Sequence, residues 1–488
     1  MMRRHGLIHI MIILAGAILC GLNLMPESLT HASSQRVLIV YDAQNTGDGG
    51  AKRIDVLQRS LTSLDLHVKT VAQSDYQQGM LSQGHYSGVI TVINWPAVGI
   101  TNKRFLADRQ AYHGIKLHIG GDLTQQEATA MGAKRVIRYQ QQLTLKTTGD
   151  STSLPFLKTI TLLTHLPSHV HQYGHLVTQS GTENGHAYGV TSNQNGYLPF
   201  LVTSGDGLIT AQRLLADLFS QSASHHPLLT ITKVTPYSDL SRLVQLSRYL
   251  NRHHIRFAVS AVSVAENAEL AAYRQYTKRL RQVELNGGVI FLQTPKIGGA
   301  SAASGNKLNQ LMTGELVDLA NQAVFPVGIS SAGYWNQDIV LRKNALSKAS
   351  SWVLLPNKAP TYLKQDNNAA VAKTTYMAMP FHSVAHQPLT NLPLATALTI
   401  NTPDSRKRVR IIEQQVTQTH FHWADLQTNG FQGTIHVGTT ALAYKNGHYY
   451  LNGHRQRVTH NVASPYKTPK PVATQPLFKR FFKVQGCF

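Results

Sequence analysis

The sequence is poor in cysteine: its 488 residues include only Cys20 and Cys487. Because these two lie near opposite ends of the chain, a disulfide inside a folded domain is not expected. This composition suits an exported protein from an organism that rarely uses disulfides. The hydrophobic fraction of 42% is near the globular norm, so extensive disorder is not expected.

Acidic residues are scarce as well. The chain has 24 Asp and Glu against 46 Lys and Arg, a formal net charge of +22, and no acidic residue follows Asp425. Such an excess of positive charge favours anionic partners, which for an exported protein are anionic cell-wall polymers, lipid headgroups or an acidic polysaccharide. No segment resembles a known nucleic-acid-binding module, so nucleic acid is not predicted as a partner. A generally basic surface without a specific partner stays open as the alternative.

A long apolar run occupies residues 7–25 and follows Arg3 and Arg4. Thr30 and Ala32 offer small residues for cleavage before Ser33, so residues 1–32 are predicted to be a signal peptide. The run is also about long enough to span a bilayer, which leaves an uncleaved anchor and membrane association open. In both cases we expect a secreted or membrane-anchored protein on the extracellular face.

The length predicts about three domains. Residues 36–130 alternate apolar strands with helical segments and predict an open α/β sheet similar to flavodoxin or the class I amidotransferases. Ligands of such sheets bind beyond the carboxyl ends of the strands, where the polar, Gly-rich loop 42–50 lies. A flavin or phosphate site is possible there, but a tight strand-to-helix turn is the commoner explanation. An amidotransferase needs a nucleophilic cysteine on a sharp turn, which this segment lacks, so a structural or ligand-sensing role without a cofactor is predicted.

Residues 131–225 contain short β-prone segments separated by Asn, Gly and Ser, which predict a small β-rich module. Histidines cluster in this segment, and the pair at positions 169 and 171 alternates along an extended chain as two metal ligands could. Chance clustering is the simpler interpretation, because the chain contains 24 histidines in all.

Residues 228–295 show a clear alternation of strands and helices. An apolar strand ends at Pro236, and a helix follows with Leu243, Leu246 and Leu250 at helical spacing. A second strand, a long polar helix and a third strand complete the segment. This order predicts parallel strands joined by crossover helices.

Residues 228–355 resemble a little-characterised family of exported bacterial proteins related to the polysaccharide deacetylases of the carbohydrate-esterase class. The resemblance implies a distorted (β/α) barrel over residues 226–400. Members that keep the chemistry have an acidic pair on the first strand, where this sequence has Thr232 and Lys233. Their His-x-x-x-His metal pair corresponds to Gln293 and Ile297, and a later motif position corresponds to Gly333.

The resemblance implies that the metal and catalytic positions are lost. A deacetylase of this kind uses a divalent metal held by imidazole and carboxylate, with an Asp as general base. Gln293 is a weak neutral ligand, Ile297 and Gly333 offer none, and the ammonium of Lys233 would repel a metal. We therefore predict no catalytic residue and no metal at this pocket. Lys233, Gln293 and Ile297 are expected to converge at the carboxyl ends of adjacent strands.

A pocket that has lost its metal ligands and catalytic residues can still bind a ligand. The residues that we predict to bind ligand in this pocket are Lys233, Asp239, Gln293, Tyr334 and Trp335.

The carboxyl-terminal region is predicted to be strand-like from about residue 406. Residues 401–465 form a β-rich, sandwich-like appendage whose Asn-Gly pairs indicate hairpins, and residues 466–488 form a basic and aromatic tail. Trp423, Tyr444, Tyr449 and Tyr450 are candidates for carbohydrate binding, although core packing is expected for most of them. The pairs His420/His422 and His382/His386 have the spacing of metal ligands and are the weak alternative metal sites.

Two functions remain open. The first is an exported cell-surface protein with a degenerate deacetylase-like domain, which binds exopolysaccharide or cell-wall glycan or takes part in its production. The resemblance supports this setting, since relatives are associated with exopolysaccharide production. The second is an active metal-dependent carbohydrate esterase, a polysaccharide N-deacetylase with a rearranged site.

Overall fold

The computed structural model describes residues 35–42, 49–95, 99–147, 151–178, 185–264, 268–295, 297, 301–332, 339–357, 374–428 and 430–462. The predicted signal peptide 1–32, the predicted tail 466–488 and the candidates Gly333, Tyr334 and Trp335 lie outside these residues. Within them the chain is a mixed α/β protein with a closed seven-stranded parallel barrel and additional sheets. None of the helices in these ranges is long and apolar enough to cross a membrane.

The first half of the chain builds the elements around a large sheet. Its strands are β1 (Arg36–Tyr41), β2 (His67–Ala72), β3 (Gly88–Ile93), β4 (Ile115–Gly120), β5 (Lys134–Gln141), β6 (Leu143–Lys146), β7 (Ser151–Ser153), β8 (Leu157–Thr164), β9 (His171–Thr178), β10 (His186–Ser192) and β11 (Asn195–Leu198). Its helices are α1 (Gly50–Ser63), α2 (Met80–Gln83), α3 (Lys103–Ala111), α4 (Gln125–Ala130) and α5 (Gly205–Leu218), with a 3-10 turn at Gln73–Asp75.

The second half builds the barrel and a small carboxyl-terminal sheet. The barrel strands are β12 (Leu228–Val234), β13 (Phe257–Val262), β14 (Gly288–Gln293), β15 (Gly328–Ser331), β16 (Ser351–Leu354), β17 (Thr374–Pro380) and β18 (Thr396–Asn401), and the small sheet contains β19 (Gln432–Val437), β20 (Thr440–Lys445), β21 (His448–Leu451) and β22 (His454–Gln456). The helices are α6 (Leu240–Arg252), α7 (Ala271–Leu285), α8 (Ala302–Asn321), α9 (Ile339–Asn344) and α10 (Arg406–Gln418), with 3-10 turns at Leu346–Lys348 and Phe381–Ser383.

The barrel strands are neighbours in chain order, and every adjacent pair is parallel. β12 closes the ring on β18, with Leu228 opposite Ala397. Parallel strands need crossover connections, which α6, α7 and α8 supply after β12, β13 and β14. The order of strands and helices predicted for residues 228–295 is confirmed.

Helix α6 shows how the sequence specifies the outer layer of the barrel. Asp239 caps the helix by accepting a hydrogen bond from the backbone N–H of Arg242, 3.2 Å away. Leu243, Leu246 and Leu250 recur at helical spacing and are fully buried. The helix therefore packs its apolar stripe against the barrel and leaves its polar face in solvent.

The large sheet contains nine strands in the order β2-β1-β3-β4-β11-β10-β9-β6-β7. The first five strands in this order, β2-β1-β3-β4-β11, are parallel to one another. From β11 onward each neighbouring pair is antiparallel. β11 lies along β4, with Tyr197 opposite His118. Strands from both sides of the boundary predicted at residue 130 therefore share one sheet. The pairing with β11 satisfies backbone groups that would otherwise be unpaired at the edge of β4. β5 and β8 form a separate two-stranded ribbon.

Helix α1 joins the large sheet to the barrel by packing against β17. Its buried residues Asp55 and Arg59 form an ion pair at 2.9 Å, and Arg59 Nη1 donates to the carbonyl oxygen of Ala378 at 2.8 Å. From α5, Gln212 Nε2 donates to Met377 Sδ at 2.8 Å. Helices of the large-sheet region thus cover part of the outer surface of a barrel strand.

The carboxyl-terminal region differs from the strand-like character predicted for it. Residues 406–418 form α10, because Val409, Ile412 and Val416 recur at helical spacing and are buried. The described strands that follow form one four-stranded antiparallel sheet rather than the two sheets of a sandwich, and β19 contacts the barrel strands β15 and β16. The predicted Asn-Gly hairpins at 446–447 and 452–453 are confirmed, since both residues of each turn have positive φ.

Candidate functional site

The carboxyl ends of the barrel strands, here called the barrel mouth, are where parallel barrels place their ligand sites. Lys233 lies there in a β-bulge at the end of β12. Three residue steps along β12, from Ile231 to Val234, oppose two steps along β13. Lys233 adopts a left-handed backbone, φ 58°, at a cost of about 1 kcal/mol for a residue with a side chain. Its side chain is exposed, so the bulge presents the ammonium to solvent.

The loop after β12 holds Tyr237 in solvent beside this bulge. The Thr235 backbone N–H donates to Ser238 Oγ at 3.0 Å, and that of Tyr237 donates to Thr235 Oγ1 at 3.2 Å. Ser238 Oγ in turn donates to the carbonyl oxygen of Lys233 at 3.0 Å. The Tyr237 side chain is 92% exposed. An aromatic ring held out on a hydrogen-bonded loop is available to stack on an apolar face of a ligand.

Thr232 and Asn401 lie where β12 meets β18. The hydroxyl of Thr232 is 3.2 Å from the carbonyl oxygen of Ile400 and 3.3 Å from Asn401 Oδ1. The carbonyl oxygen of Thr232 accepts from both N and Oγ1 of Thr402, at 2.9 Å each. Thr232 is therefore used to close the barrel, whereas Asn401 is exposed at the mouth.

Gln293 is the last residue of β14, opposite Val262 of β13 and Ser330 of β15. Strand β13 separates Gln293 from Lys233, so their backbones are about two strand spacings, or about 10 Å, apart. Ile297 lies beyond the strand and packs, partly buried, against the core. Lys233 and Gln293 thus share the barrel mouth on next-nearest strands rather than on adjacent ones.

Asp239 lies at the edge of the mouth and caps α6. Its Oδ1 accepts from Ser241 Oγ at 2.5 Å and from the Arg242 N–H. These hydrogen bonds, that of Ser241 first, hold the pKa of Asp239 below its usual value. Its carboxylate is therefore ionised and partly used by the helix, which makes it a weaker candidate for ligand contact than Lys233.

One buried carboxyl reaches the mouth from the helix layer. Glu315 of α8, 1% exposed, accepts from the Val264 N–H at 2.7 Å and from Ser263 Oγ at 3.2 Å, just beyond β13. Its Oε1 has no hydrogen-bond partner among the described residues. Burial raises the pKa of Glu315 to about 7 against the opposing effect of these two hydrogen bonds. The group anchors the segment after β13, and both its protonation states are populated near neutral pH.

A group of cations lies at the start of α10, directly after β18 and therefore at the barrel mouth. A helix N-terminus carries partial positive charge, so each cation there opposes the helix dipole by about 0.3–1 kcal/mol, and the first turn contains no acidic residue. Helix stability does not explain this placement. Asp404 lies two residues before the first of these cations, Arg406. We define the basic rim as the exposed residues Lys233, Arg406, Lys407, Arg408 and Arg410.

The histidine pairs predicted as alternative metal ligands lie in separate parts of the chain, and His382 directly follows β17 at the barrel mouth. His420 and His422 follow α10 in a segment without regular structure, and His422 packs edge-on against His226 with ring centroids 5.8 Å apart. His382 lies in a 3-10 turn. No group of three or more His, Cys, Asp or Glu side chains is arranged to hold a metal in the part of the chain that the structure describes.

The aromatic candidates of the carboxyl-terminal region are mainly packing residues. Tyr444 is 1% exposed and lies 4.9 Å from the Tyr449 ring. Trp423 packs between the rings of Phe381 and Phe421 at 5.9 and 5.6 Å. The expectation of core packing is confirmed for these side chains.

A cavity of about 660 Å³ opens at the opposite end of the barrel, around the first residues of β17. Its lining includes Thr375, Tyr376 and His225. The amino-terminal face of a parallel barrel generally serves stability rather than ligand binding. We therefore place the candidate site at the barrel mouth.

Sequence reasoning missed two features of the mouth. Tyr237 follows Pro236 at the end of a predicted strand, and an aromatic residue in such a loop was the available signal. The run of cations after Ser405 was visible too, but its position depends on β18, which ends at the mouth only because the barrel closes.

No family model matches this chain, and no curated protein matches it at a significant level. The resemblance to deacetylase-like proteins therefore rests on the strand order and local signatures of this sequence, and it stays a prediction.

Proposed function

We propose that this chain is an exported, non-catalytic glycan-binding protein. It uses the mouth of a degenerate deacetylase-like barrel to hold an acidic polysaccharide during exopolysaccharide or cell-wall glycan production. The observation that carries this proposal is Tyr237, which is 92% exposed beside Lys233 on a hydrogen-bonded loop at the barrel mouth.

The chemistry of the mouth suits a sugar that bears negative charge. The flat face of Tyr237 can stack on the C–H face of a sugar ring. The amides of Gln293 and Asn401 can exchange hydrogen bonds with sugar hydroxyls. The basic rim supplies guanidinium and ammonium groups, which bind carboxylate and phosphate oxygens through charge-assisted hydrogen bonds.

The large sheet fits a supporting role in this proposal. The strand order β2-β1-β3-β4-β11 favours a flavodoxin-like arrangement, whose ligand crevice lies between the ends of β1 and β3. At that point Asp42 accepts hydrogen bonds from the N–H groups of Asn94 and Trp95 at 2.8 and 2.7 Å. This carboxylate is used to fix the turn, which supports a structural role. Residues 43–48 of the loop lie outside the described residues.

The test is a binding titration of the full chain with polygalacturonic acid, and with dextran as the neutral comparison. Tyr237→Ala and Lys233→Ala should each weaken binding to the acidic polymer by about tenfold, equivalent to about 1.4 kcal/mol. The matched control is Tyr139→Ala, since Tyr139 is also an exposed tyrosine, 66% exposed, but lies on the ribbon formed by β5 and β8.

Two outcomes contradict the proposal. The first is equal affinity of wild type and Tyr237→Ala, which would remove the mouth from binding. The second is metal-dependent release of acetate from N-acetylated oligosaccharides that is lost on mutation of Gln293, which would favour the active esterase.

A further inference from the structure

A second site lies in the large-sheet region, in a cavity of about 300 Å³ between α3, α4, β4 and β11. We call it the helix–sheet pocket. Arg109 enters it from α3, Lys116 and His118 from β4, and Glu127 from α4. Its volume is at the lower end of the range for small-molecule sites. None of these residues belongs to the barrel, so the pocket is independent of the proposed function.

Glu127 is already fully hydrogen-bonded in this pocket. Its Oε1 accepts from Arg109 Nη1 at 2.5 Å and from His118 Nδ1 at 2.9 Å. Its Oε2 accepts from both N and Oγ1 of Thr124, at 2.8 Å each. Burial alone would raise the pKa of Glu127, but the charges of His118 and Arg109 and these hydrogen bonds outweigh it and hold the pKa well below its usual range. The carboxylate is therefore ionised and has no capacity for a further cation.

His118 adds a positive charge. The ring is 1% exposed, and its Nε2 lies 2.6 Å from the carbonyl oxygen of Gly121 while Nδ1 faces Glu127. Both neighbours are acceptors, so the ring makes both hydrogen bonds only as the imidazolium cation. The pocket thus holds the cations of Arg109, Lys116 and His118 against the single carboxylate of Glu127.

Two of these cations retain unused donors. Arg109 is 8% exposed, and its Nε has no hydrogen-bond partner among the described residues. Lys116 is half-buried, and within the described part of the chain its ammonium forms no hydrogen bond or ion pair. Burial lowers the pKa of Lys116 and the nearby charge of Arg109 lowers it further, while the charge of Glu127 acts in the opposite direction. Two neighbouring cations in a partly buried cavity repel each other, and a bound anion would relieve that repulsion.

We infer that the helix–sheet pocket binds a small oxyanion, a carboxylate or a phosphate group, between Lys116 and Arg109. Lys116 would supply a point charge with three donors, and the neighbouring guanidinium of Arg109 a second positive charge. The amide of Asn195, which also lines the pocket, can contact the rest of the ligand.

The experiment measures thermal unfolding of the full chain in sodium phosphate, sodium acetate and sodium chloride at equal ionic strength. One of the oxyanions should raise the melting temperature saturably above the chloride reference, because a ligand that binds the folded state stabilises it. The phosphate and acetate arms decide which oxyanion the pocket takes. Lys116→Gln should weaken the apparent affinity at least about tenfold, and Lys116→Arg should retain the response.

The matched control is Lys69→Gln, because Lys69 is also a half-buried lysine on a strand of the same sheet, β2. It should leave the anion response unchanged. In chloride, Lys116→Gln should be at least as stable as wild type, since it removes the repulsion from Arg109. The proposal fails if neither oxyanion exceeds chloride, if Lys116→Gln keeps the full response, or if Lys116→Gln is strongly destabilised in chloride.

Discussion

The guanidinium of Arg59 donates a hydrogen bond to the carbonyl oxygen of Ala378, with 2.8 Å between Nη1 and the oxygen, and so connects α1 to barrel strand β17. Asp55, also buried, is its ion-pair partner at 2.9 Å. Replacement Arg59→Met leaves this carboxylate without its cation, and we expect a loss of about 3–5 kcal/mol in the free energy of unfolding. Urea unfolding followed by circular dichroism measures the loss.

The control for Arg59→Met is Lys52→Met, an exposed residue on the same helix, which should change stability by less than about 0.5 kcal/mol. Burial raises the pKa of Asp55 even beside Arg59. Without the guanidinium the carboxyl should take up a proton more readily, so the loss should be smaller at pH 5 than at pH 8. A loss that is small and independent of pH would contradict the importance of this pair.

Glu284 is expected to give the free energy of unfolding a dependence on pH. The carboxyl is buried, 6% exposed, and Oε1 accepts from the Phe325 N–H at 3.0 Å. Burial raises its pKa to about 8, against the effects of this hydrogen bond and of Arg281. An unfolded Glu has a pKa near 4.3. Between these values the folded chain binds the proton that the unfolded chain has released, so stability falls as pH rises from about 4 to about 8.

Replacement Glu284→Gln removes that proton equilibrium and keeps an oxygen for the Phe325 N–H. Its stability relative to wild type should increase with pH and level off above about pH 8, with a total gain of about 3–5 kcal/mol. Glu315→Gln is the matched control, since the pKa of Glu315 is raised to about 7 and its gain should level off one pH unit earlier. Urea unfolding at intervals from pH 5 to pH 9 decides this, and parallel profiles of wild type and Glu284→Gln would refute it.

The local parts of the fold could be predicted from the sequence. The strands and helices of residues 228–295 follow from their periodicity, and the hairpin at Asn446 follows from its turn chemistry. Long-range pairing could not be predicted in the same way. The hydrogen bond between Thr232 and Asn401 joins residues 169 positions apart. Strand β4 pairs with β3 on one edge, but on its other edge with β11, from beyond residue 130. Neither pairing leaves a signal in a local window.

The candidate site also combines local features, which the sequence could predict, with features that depend on long-range pairing. The resemblance to deacetylase-like proteins predicted Lys233 near the carboxyl end of a strand, and the apolar pattern predicted that this strand ends at Pro236. The bulge that turns its side chain into solvent depends on the register of β12 against β13, which the sequence does not specify locally. Tyr237 is exposed because its loop is shaped by two hydrogen bonds, from the Tyr237 N–H to Thr235 Oγ1 and from Ser238 Oγ to the carbonyl oxygen of Lys233. A residue pattern alone would equally have suited a buried aromatic ring.

Gly120 is expected to tolerate no side chain. It ends β4 with φ 104°, and a Cβ at this position would lie 2.0 Å from the carbonyl oxygen of Ile93 on β3. Gly120→Ala should therefore cost more than about 3 kcal/mol, because backbone strain and a steric clash add. Gly453→Ala is the control, since Gly453 also has positive φ, 83°, but no described heavy atom lies within 4 Å of its Cβ position; it should cost about 1 kcal/mol. Equal losses in urea unfolding would contradict the clash.

Lys233 is expected to lower the free energy of unfolding while it contributes to polysaccharide binding. Its left-handed backbone, φ 58°, strains any residue with a Cβ but not glycine, so Lys233→Gly should raise the free energy of unfolding by about 0.5–1 kcal/mol. The same variant lacks the ammonium of the basic rim, so its affinity for polygalacturonic acid should fall about tenfold. Lys233→Ala separates the two effects, because it should lose the same affinity without gaining stability. Urea unfolding and binding titrations on the same preparations test both halves. A Lys233→Gly chain that is more stable and binds as tightly as wild type would show that the strain in this bulge does not serve ligand binding.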